Sequence, residues 1–178
     1  MDFAVGGDQG GSVRIPASWC GIVGIKPTHG LVPYSGVFPI EATIDHCGPM
    51  ARTVADAALL LEAIAGDGGD GFDPRQCSAP SRESLKPGCY TTAVSRGVSG
   101  LRIGVLTEGF GQPGAQREVE DAVRTAARVL ADSGAVVADV SVPLHRLGPA
   151  IWSGFALEGS TVQMLHGHGM GALGLGVF

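Results

Sequence analysis

Apolar residues recur at helical spacing in two stretches of the chain. Residues 53–65 are mostly alanine and leucine, with Thr53 at the start, Asp56 three positions later and Gly66 directly after the end. A threonine followed three positions on by an acidic residue is typical of a helix N-terminus, and a glycine after the last apolar residue is typical of a helix end. The pattern therefore predicts a helix over residues 53–65.

The second stretch, residues 117–134, has the clearer amphipathic pattern and is flanked by two short apolar runs. Its apolar positions follow helical spacing and are Val119, Ala122, Val123, Ala126 and Leu130. Residues 101–106 before it and residues 135–142 after it are short, apolar and bounded by turn signals, as strands are. The strand–helix–strand order predicts a parallel pair of strands with a crossover helix, and therefore the α/β class.

The remaining segments are less regular. Residues 3–5 have the apolar character of the end of a short buried strand, and two prolines divide residues 12–28 into short pieces. Residues 67–99 are rich in glycine, aspartate, proline and serine, which predicts an irregular surface connection. A further helix is predicted over residues 147–165, and residues 166–178 show no clear pattern.

Composition and charge exclude several classes of protein. The chain has 178 residues, 44% of them apolar, which is enough for a packed core. No uninterrupted apolar run approaches the roughly 18 residues that indicate a membrane-spanning helix. A net charge of −5 with only 12 basic residues argues against a nucleic-acid partner. The first residues lack the basic and apolar regions of a signal peptide, so we expect a cytoplasmic protein without membrane contact.

Cysteine and histidine spacing gives no indication of a metal site. The chain has four widely spaced cysteines, which are Cys20, Cys47, Cys77 and Cys89. No two of them form a C-x-x-C pair, which argues against a zinc site. Four cysteines in a chain without a secretory signal favour reduced thiols. His166 and His168 have a spacing that metal sites sometimes use, but no carboxylate or cysteine lies near them in the sequence. We therefore expect neither a metal ion nor a cofactor.

Residues 6–16, GGDQGGSVRIP, place one serine in a loop of glycines. Glycine adopts positive φ without a steric penalty, so successive backbone N–H groups can converge on one point. A serine beside such donors can attack a carbonyl carbon while the N–H groups stabilise the developing oxyanion. Asp8 can hold the loop by accepting backbone hydrogen bonds. From the residues alone, a tight turn with a solvated Ser12 explains the stretch equally well.

This stretch and the residues after it resemble the amidase signature family of serine hydrolases. The family pattern is approximately Gly-(Ser/Thr/Gly)-Asp-x-Gly-Gly-Ser-(Ile/Val)-Arg-x-Pro-(Ala/Ser), and residues 6–17 read GGDQGGSVRIPA. The family's later Cys-Gly and Gly-x-Lys-Pro-Thr elements are present at residues 20–21 and 24–28. Residues 45–66, DHCGPMARTVADAALLLEAIAG, match the segment that follows. A motif of this length and order is highly specific.

The resemblance implies a fold and an activity. The family fold is a twisted mixed β-sheet flanked by helices, of which residues 1–178 would form a single partial domain with its core motif at residues 3–66. The implied activity is hydrolysis of a monocarboxylic acid amide to the carboxylate and ammonia through a serine acyl-enzyme, without metal or cofactor. Residues 32–46, VPYSGVFPIEATIDH, resemble the branch that acts on simple aliphatic and aromatic amides. The implied partner is a small amide, with a homodimer for the full-length relative.

The resemblance also assigns residues. Ser12 matches the nucleophile. The oxyanion-hole donors of the family match the backbone of Gln9, Gly10 and Gly11. The supporting residues are Asp8 and Arg14, which we expect to fasten the loop.

One departure from the family pattern concerns the activating groups. In the family, a lysine and a bridging serine lie upstream of the nucleophile, and the residues before Ser12 contain neither. The chain has only two lysines, Lys26 and Lys86, and Lys26 belongs to the Gly-x-Lys-Pro-Thr element instead. A base must lie within hydrogen-bond reach of its proton, so Lys26 is a weak substitute. We therefore expect an incomplete and poorly active fragment.

Three alternatives remain open. The chain could resemble the glutaminase component, the A-subunit, of a glutamyl-tRNA amidotransferase, or it could be a catalytically dead binding fragment. Residues 109–114, GFGQPG, form a G-x-G-x-x-G between a predicted strand and a predicted helix, as a dinucleotide site requires. Glu108 and Pro113 weaken that interpretation, because one adds negative charge and the other lacks an N–H group. The histidines show no sequence relation to Ser12 and are expected to be ordinary surface residues.

Overall fold

The computed structural model describes residues 2–37, 39–41, 43–66, 73, 76, 80, 81 and 83–166, with residues 163–166 described by their backbone only. The chain divides into two compact units. The first consists of Met1–Ser95 together with Trp152–Phe178, and the second of Arg96–Ile151. The expectation of a single partial domain over residues 1–178 stays a prediction.

The first unit contains an antiparallel sheet of three strands. Strand β1 spans Phe3–Asp8, β2 spans Val23–Gly24 and β3 spans His46–Ala51, in the order β1-β3-β2. Strand β1 pairs with β3 along its whole length, from Phe3 opposite Ala51 to Asp8 opposite His46. The strand predicted at residues 3–5 therefore continues through the two glycines as far as the start of the serine loop.

Two helices of the first unit follow its strands. Helix α1 spans Arg14–Cys20 and helix α2 spans Val54–Ile64. The Thr53 hydroxyl accepts the N–H of Asp56 at 3.1 Å, so the predicted cap of α2 is confirmed. The short helix α1 and the two-residue strand β2 confirm that residues 12–28 form short pieces.

The core of the first unit lies between β3 and α2. Its buried members come from these two elements, from the residue after α2 and from the segment between β2 and β3, and they are Val32, Tyr34, Cys47, Leu61 and Ala65. Burying the apolar side of α2 against β3 supplies the hydrophobic stabilisation that a capped helix of this length needs. The sheet that carries the serine loop is therefore backed by a packed core.

The second unit is a strand–helix–strand motif. Strand β4 spans Arg102–Leu106, helix α3 spans Arg117–Asp132 and strand β5 spans Val136–Val140. The strands pair in parallel, with Arg102 opposite Val136, as the sequence predicted. None of the residues of α3 is buried.

Helix α4 spans Gly148–His166, which confirms the helix predicted over residues 147–165. The strands and helices together confirm the α/β class, with the described strands arranged as one antiparallel and one parallel sheet.

Within the described part of the chain, no helix combines the length and the apolar character needed to cross a membrane. About a third of the connection predicted over residues 67–99, and the whole tail after residue 166, lie outside the described residues. A short 3-10 helix occupies Thr92–Arg96.

Candidate active site

Ser12 lies in the turn between β1 and α1. The strand ends at Asp8 and the helix begins at Arg14, so residues 9–13 form the turn. Ser12 is exposed to solvent, whereas Gly11 before it is buried. Gly11 has a φ of +135°, which favours glycine over any residue with a side chain. The turn therefore presents the serine hydroxyl to solvent from a fixed backbone.

A buried carboxylate clamps this turn. Asp8 Oδ1 accepts the N–H of Gly11 at 2.8 Å and Nη2–H of Arg14 at 3.0 Å. Asp8 Oδ2 accepts Nε–H of Arg14 at 2.9 Å and the N–H of Val13 at 3.3 Å. Burial alone would raise the pKa of Asp8, but Arg14 and the two N–H groups lower it overall. Asp8 is therefore an ionised, fully hydrogen-bonded support beneath the loop.

Two aromatic side chains hold the Gln9–Gly10 segment. The Gln9 side-chain amide donates to the Tyr34 hydroxyl at 2.9 Å, and the Trp152 indole N–H donates to the Gln9 carbonyl at 3.1 Å. A Cβ atom on Gly10 would lie only 2.6 Å from Trp152 Nε1, so a side chain there would displace the indole. The side chain and the carbonyl of Gln9 are thus both hydrogen-bonded to residues far from it in the sequence.

The backbone N–H groups of the loop are not equally available. That of Gly11 donates to Asp8, so in this conformation Gly11 supports the loop and does not present a free donor. Among the hydrogen bonds formed by the described residues, none uses the N–H of Gln9, Gly10 or Ser12. Of the three predicted oxyanion donors, Gln9 and Gly10 are therefore the ones whose N–H groups are unused.

Two basic side chains of the first unit, Lys26 and His46, interact with each other. Lys26 Nζ lies 3.1 Å from His46 Nε2 and 3.3 Å from the Pro27 carbonyl. His46 Nδ1 lies 2.7 Å from the Ile44 carbonyl, which assigns Nδ1 as the protonated nitrogen and Nε2 as the acceptor from lysine. Burial, together with Lys26, lowers the pKa of His46 in spite of its bond to the Ile44 carbonyl. The Lys26 side chain thus contacts His46 and the Pro27 carbonyl and makes no hydrogen bond to Ser12, and its exclusion as the base stays a prediction.

Within the described residues, no hydrogen bond or ion pair links Ser12 to a histidine or a lysine. His29 contacts His46 edge to face, with ring centroids 5.2 Å apart, and His145 belongs to the second unit. The His166 side chain and the whole of His168 lie outside the described residues, as does Cys77. Cys20 and Cys89 are free thiols, and no cluster of three metal-ligating side chains occurs in the described ranges.

The glycine motif at residues 109–114 lies where β4 gives way to α3, beside a cleft of about 650 Å³. The N–H of Gly111 already donates to the Glu120 carboxylate at 2.6 Å. The Glu108 carboxylate accepts the Val142 N–H at 3.0 Å and the Ser141 hydroxyl. The Glu120 carboxylate occupies the N–H of Gly111 that a phosphate would need, and its negative charge would repel the phosphate. Glu120 is therefore a second acidic residue, after Glu108, that argues against a dinucleotide site.

Sequence reasoning did not identify three residues of this site. Tyr34 was given no role, and His46 was expected to be an ordinary surface histidine, whereas it lies half-buried in β3. Trp152 lies 143 residues from Gln9, and nothing in the local pattern of α4 relates it to the loop. Cross-strand pairing of Asp8 with His46 required β3, which the sequence did not predict.

Comparison with known proteins adds family relationships to this geometry. A family model described as Amidase matches residues 1–170. The chain is 51% identical over 168 residues to an enantioselective amidase of Rhodococcus rhodochrous, covering 94% of this chain and 31% of that protein. It is 44% identical over 151 residues to the A-subunit of glutamyl-tRNA(Gln) amidotransferase of Synechococcus sp. (strain RCC307), covering 85% of this chain and 29% of the relative.

A solved structure agrees with the sequence comparisons. The A-subunit of glutamyl-tRNA(Gln) amidotransferase of Thermotoga maritima superposes with a TM-score of 0.76 at 31% identity. The superposition covers 93% of this chain and 34% of that structure. The chain therefore spans about a third of the length of the proteins it matches.

Proposed function

The chain belongs to the amidase signature family of amide hydrolases, and from this premise we propose that Ser12 is the nucleophile of an amidase that acts on monocarboxylic acid amides. The observation that carries the proposal is that exposed Ser12 shares one turn with the unused N–H groups of Gln9 and Gly10, and that buried Asp8 clamps this turn. A serine nucleophile needs this combination of access, nearby donors and a fixed backbone.

In the proposed reaction, Ser12 Oγ bonds to the carbonyl carbon of the amide, and the hydroxyl proton passes to a water molecule that acts as the base. The carbonyl oxygen becomes an oxyanion, which accepts the N–H groups of Gln9 and Gly10. The tetrahedral intermediate collapses when the C–N bond breaks, and the nitrogen leaves as ammonia with the transferred proton. Water then hydrolyses the acyl-enzyme to the carboxylate and regenerates the serine hydroxyl.

The proposal includes low turnover by the chain taken alone. An unassisted serine hydroxyl is a weak nucleophile, and the described residues bring no lysine or histidine into contact with Ser12. Oxyanion donors by themselves retain roughly 10³-fold acceleration over water in other serine hydrolases. We therefore propose slow hydrolysis that depends on Ser12, not the rate of a complete enzyme.

The first test is covalent labelling with a fluorophosphonate. We expect the probe to phosphonylate Ser12 Oγ with loss of fluoride, and the Ser12→Ala variant to remain unlabelled. Ser18→Ala is the matched control, because Ser18 is also exposed but lies within α1. Labelling that persists in Ser12→Ala, or that requires Ser18, would remove Ser12 from the nucleophile role.

Ammonia release distinguishes the amidase from a second candidate. The relationship to the A-subunit of the amidotransferase supports a glutaminase as the alternative, since one such relative shares 44% identity with this chain. Benzamide, propionamide and glutamine would be compared at equal concentration with the same chain. We expect benzamide or propionamide to release ammonia faster than glutamine, whereas faster release from glutamine would favour the glutaminase. Binding of any amide without Ser12-dependent release would identify a catalytically dead fragment.

A further inference from the structure

Trp152 is placed on the serine loop in a way that packing alone does not explain. Its side chain is 46% exposed, so it contributes only in part to a core. Its indole N–H nevertheless donates to the Gln9 carbonyl at 3.1 Å, and its ring occupies the space that a side chain on residue 10 would need. Gly10 and Trp152 are therefore complementary in shape as well as joined by a hydrogen bond.

The carbonyl that Trp152 holds belongs to the same peptide unit as the N–H of Gly10. In a trans peptide these two groups lie in one plane and point in opposite directions. A donor that fixes the Gln9 carbonyl on one side therefore fixes the Gly10 N–H on the other. A hydrogen bond accepted by the carbonyl also polarises the amide and makes its N–H a stronger donor.

The other contacts of the segment leave this peptide plane free. The Tyr34 hydroxyl binds the side chain of Gln9, and Asp8 binds the N–H of Gly11. Neither contact reaches the carbonyl of Gln9. Within the described residues, Trp152 thus makes the one hydrogen bond to that carbonyl outside the strands and helices.

We propose that Trp152 is a positioning residue for the serine loop, because its indole N–H sets the direction of the Gly10 N–H toward the oxyanion. This inference rests on the proposed function, in which Ser12 is the nucleophile and Gly10 supplies an oxyanion donor. Trp152 does not contact the reacting atoms in this role. It acts through the Gln9–Gly10 peptide.

The test makes the same substitution, tryptophan to phenylalanine, at two positions. Trp152→Phe removes the indole N–H and keeps an aromatic ring, while Trp19→Phe makes the same change at a residue that is 87% exposed and lies in α1. We expect Trp152→Phe to slow fluorophosphonate labelling about 5- to 10-fold, the loss that corresponds to one hydrogen bond of ordinary strength. Trp19→Phe should leave the labelling rate within about twofold of the original, which is within the usual scatter for a surface change.

A second measurement reports on the hydrogen bond itself. The chain contains two tryptophans, so each variant assigns the remaining indole N–H signal in a ¹H–¹⁵N spectrum. We expect the Trp152 signal to exchange with solvent more slowly than that of Trp19, and to shift when Ser12 is phosphonylated. Gly10→Ala should displace the indole and abolish the slow exchange.

The outcomes separate this inference from the proposed function. If the chain is not labelled, or if Ser12→Ala is labelled, the proposed function fails and the inference fails with it. If labelling depends on Ser12 but Trp152→Phe reacts at the original rate, the inference alone is overturned. An equal slowing by Trp19→Phe, or a fall in thermal midpoint that accounts for the slower labelling, would also overturn it.

Discussion

Asp8 shows how one carboxylate can order a loop that has almost no apolar side chains. Residues 9–12 are glutamine, two glycines and serine, so they bury little surface of the kind that usually fixes a backbone. The four hydrogen bonds accepted by Asp8 from Gly11, Val13 and Arg14 replace that packing. Polar contacts with the buried Asp8 carboxylate therefore hold the loop, while Ser12 stays exposed to solvent.

We predict that Asp8→Ala lowers the free energy of unfolding by about 2 kcal/mol at neutral pH. Breaking a buried ion pair costs roughly 3 to 5 kcal/mol, and we expect less because the Arg14 side chain is 50% exposed and can be hydrated. Urea unfolding of both chains measures the difference. Asp139→Ala is the control at an exposed aspartate and should change the free energy by no more than about 0.5 kcal/mol.

The free energy of unfolding that is lost in Asp8→Ala should depend on pH. Because the folded state lowers the pKa of Asp8, its stabilisation is fully present above the unfolded pKa of about 4. It is lost as the pH falls below that value and through the folded pKa. The difference between the original chain and Asp8→Ala should therefore shrink below about pH 4. A difference that stays constant down to pH 2 would contradict the clamp.

At this scale the sequence predicted a contact between neighbours in the chain and missed contacts between distant residues. Asp8 was identified as a loop support from its place in GGDQGGS, and the structure adds that Gly11 donates to it. The contacts of Trp152 and Tyr34 could not be predicted, because they cross 143 and 25 residues and depend on tertiary packing. Motif spacing carries information about neighbours in the chain, not about the side chains that cover them.

Among the elements, those with a strong local pattern were predicted and β3 was not. Helices α2 and α3 each have a helical apolar period, and α2 also has its threonine cap. Strand β3 reads HCGPMA, and its glycine and proline are typical of turns. Pro49 nevertheless lies opposite Val5 in the sheet, and its carbonyl accepts the N–H of Ile25. Pairing on both sides outweighs the local preference against a strand.

Glu108 joins the ends of β4 and β5 in the second unit. Its carboxylate accepts the Ser141 hydroxyl, the Val142 N–H at 3.0 Å and the Thr107 hydroxyl at 3.1 Å. These hydrogen bonds, led by that of Ser141, lower the pKa of Glu108 to about 2. Glu108 follows β4, and Ser141 and Val142 follow β5, so the contact closes the parallel pair at its carboxyl end.

We predict that Glu108→Gln increases the hydrogen-exchange rate of the Val142 N–H at neutral pH. The amide has one acceptor oxygen where the carboxylate has two, and it carries no charge to strengthen the bonds. In the original chain, protection should weaken only as the pH falls from about 4.5 toward 2, since the contribution of a carboxylate with a lowered pKa is lost on protonation. Glu118→Gln, in the exposed first turn of α3, is the control and should leave this rate unchanged.

On the scale of the whole molecule, the second unit leaves much of its predicted apolar surface uncovered. The apolar face of α3 that follows from its helical spacing includes Val119 and Val123, which are 58% and 51% exposed. Both line the cleft beside β4, together with Phe110. The helical period correctly identified which residues share a face, but period alone does not determine whether another element packs on that face.

Contiguous exposed apolar surface of this kind promotes association, because burial between copies removes it from water. We predict that the chain self-associates as its concentration rises, which light scattering coupled to size exclusion measures as an increasing mean mass.

Val123→Lys should reduce the association by placing a charge in the cleft, where burial against a second copy would cost its hydration. Thr125→Lys adds the same charge at another exposed position of α3 that does not line the cleft, and it should have a smaller effect. Equal effects of the two lysines would attribute the change to net charge, and a monodisperse monomer at all concentrations would show that the exposed face of α3 does not drive association.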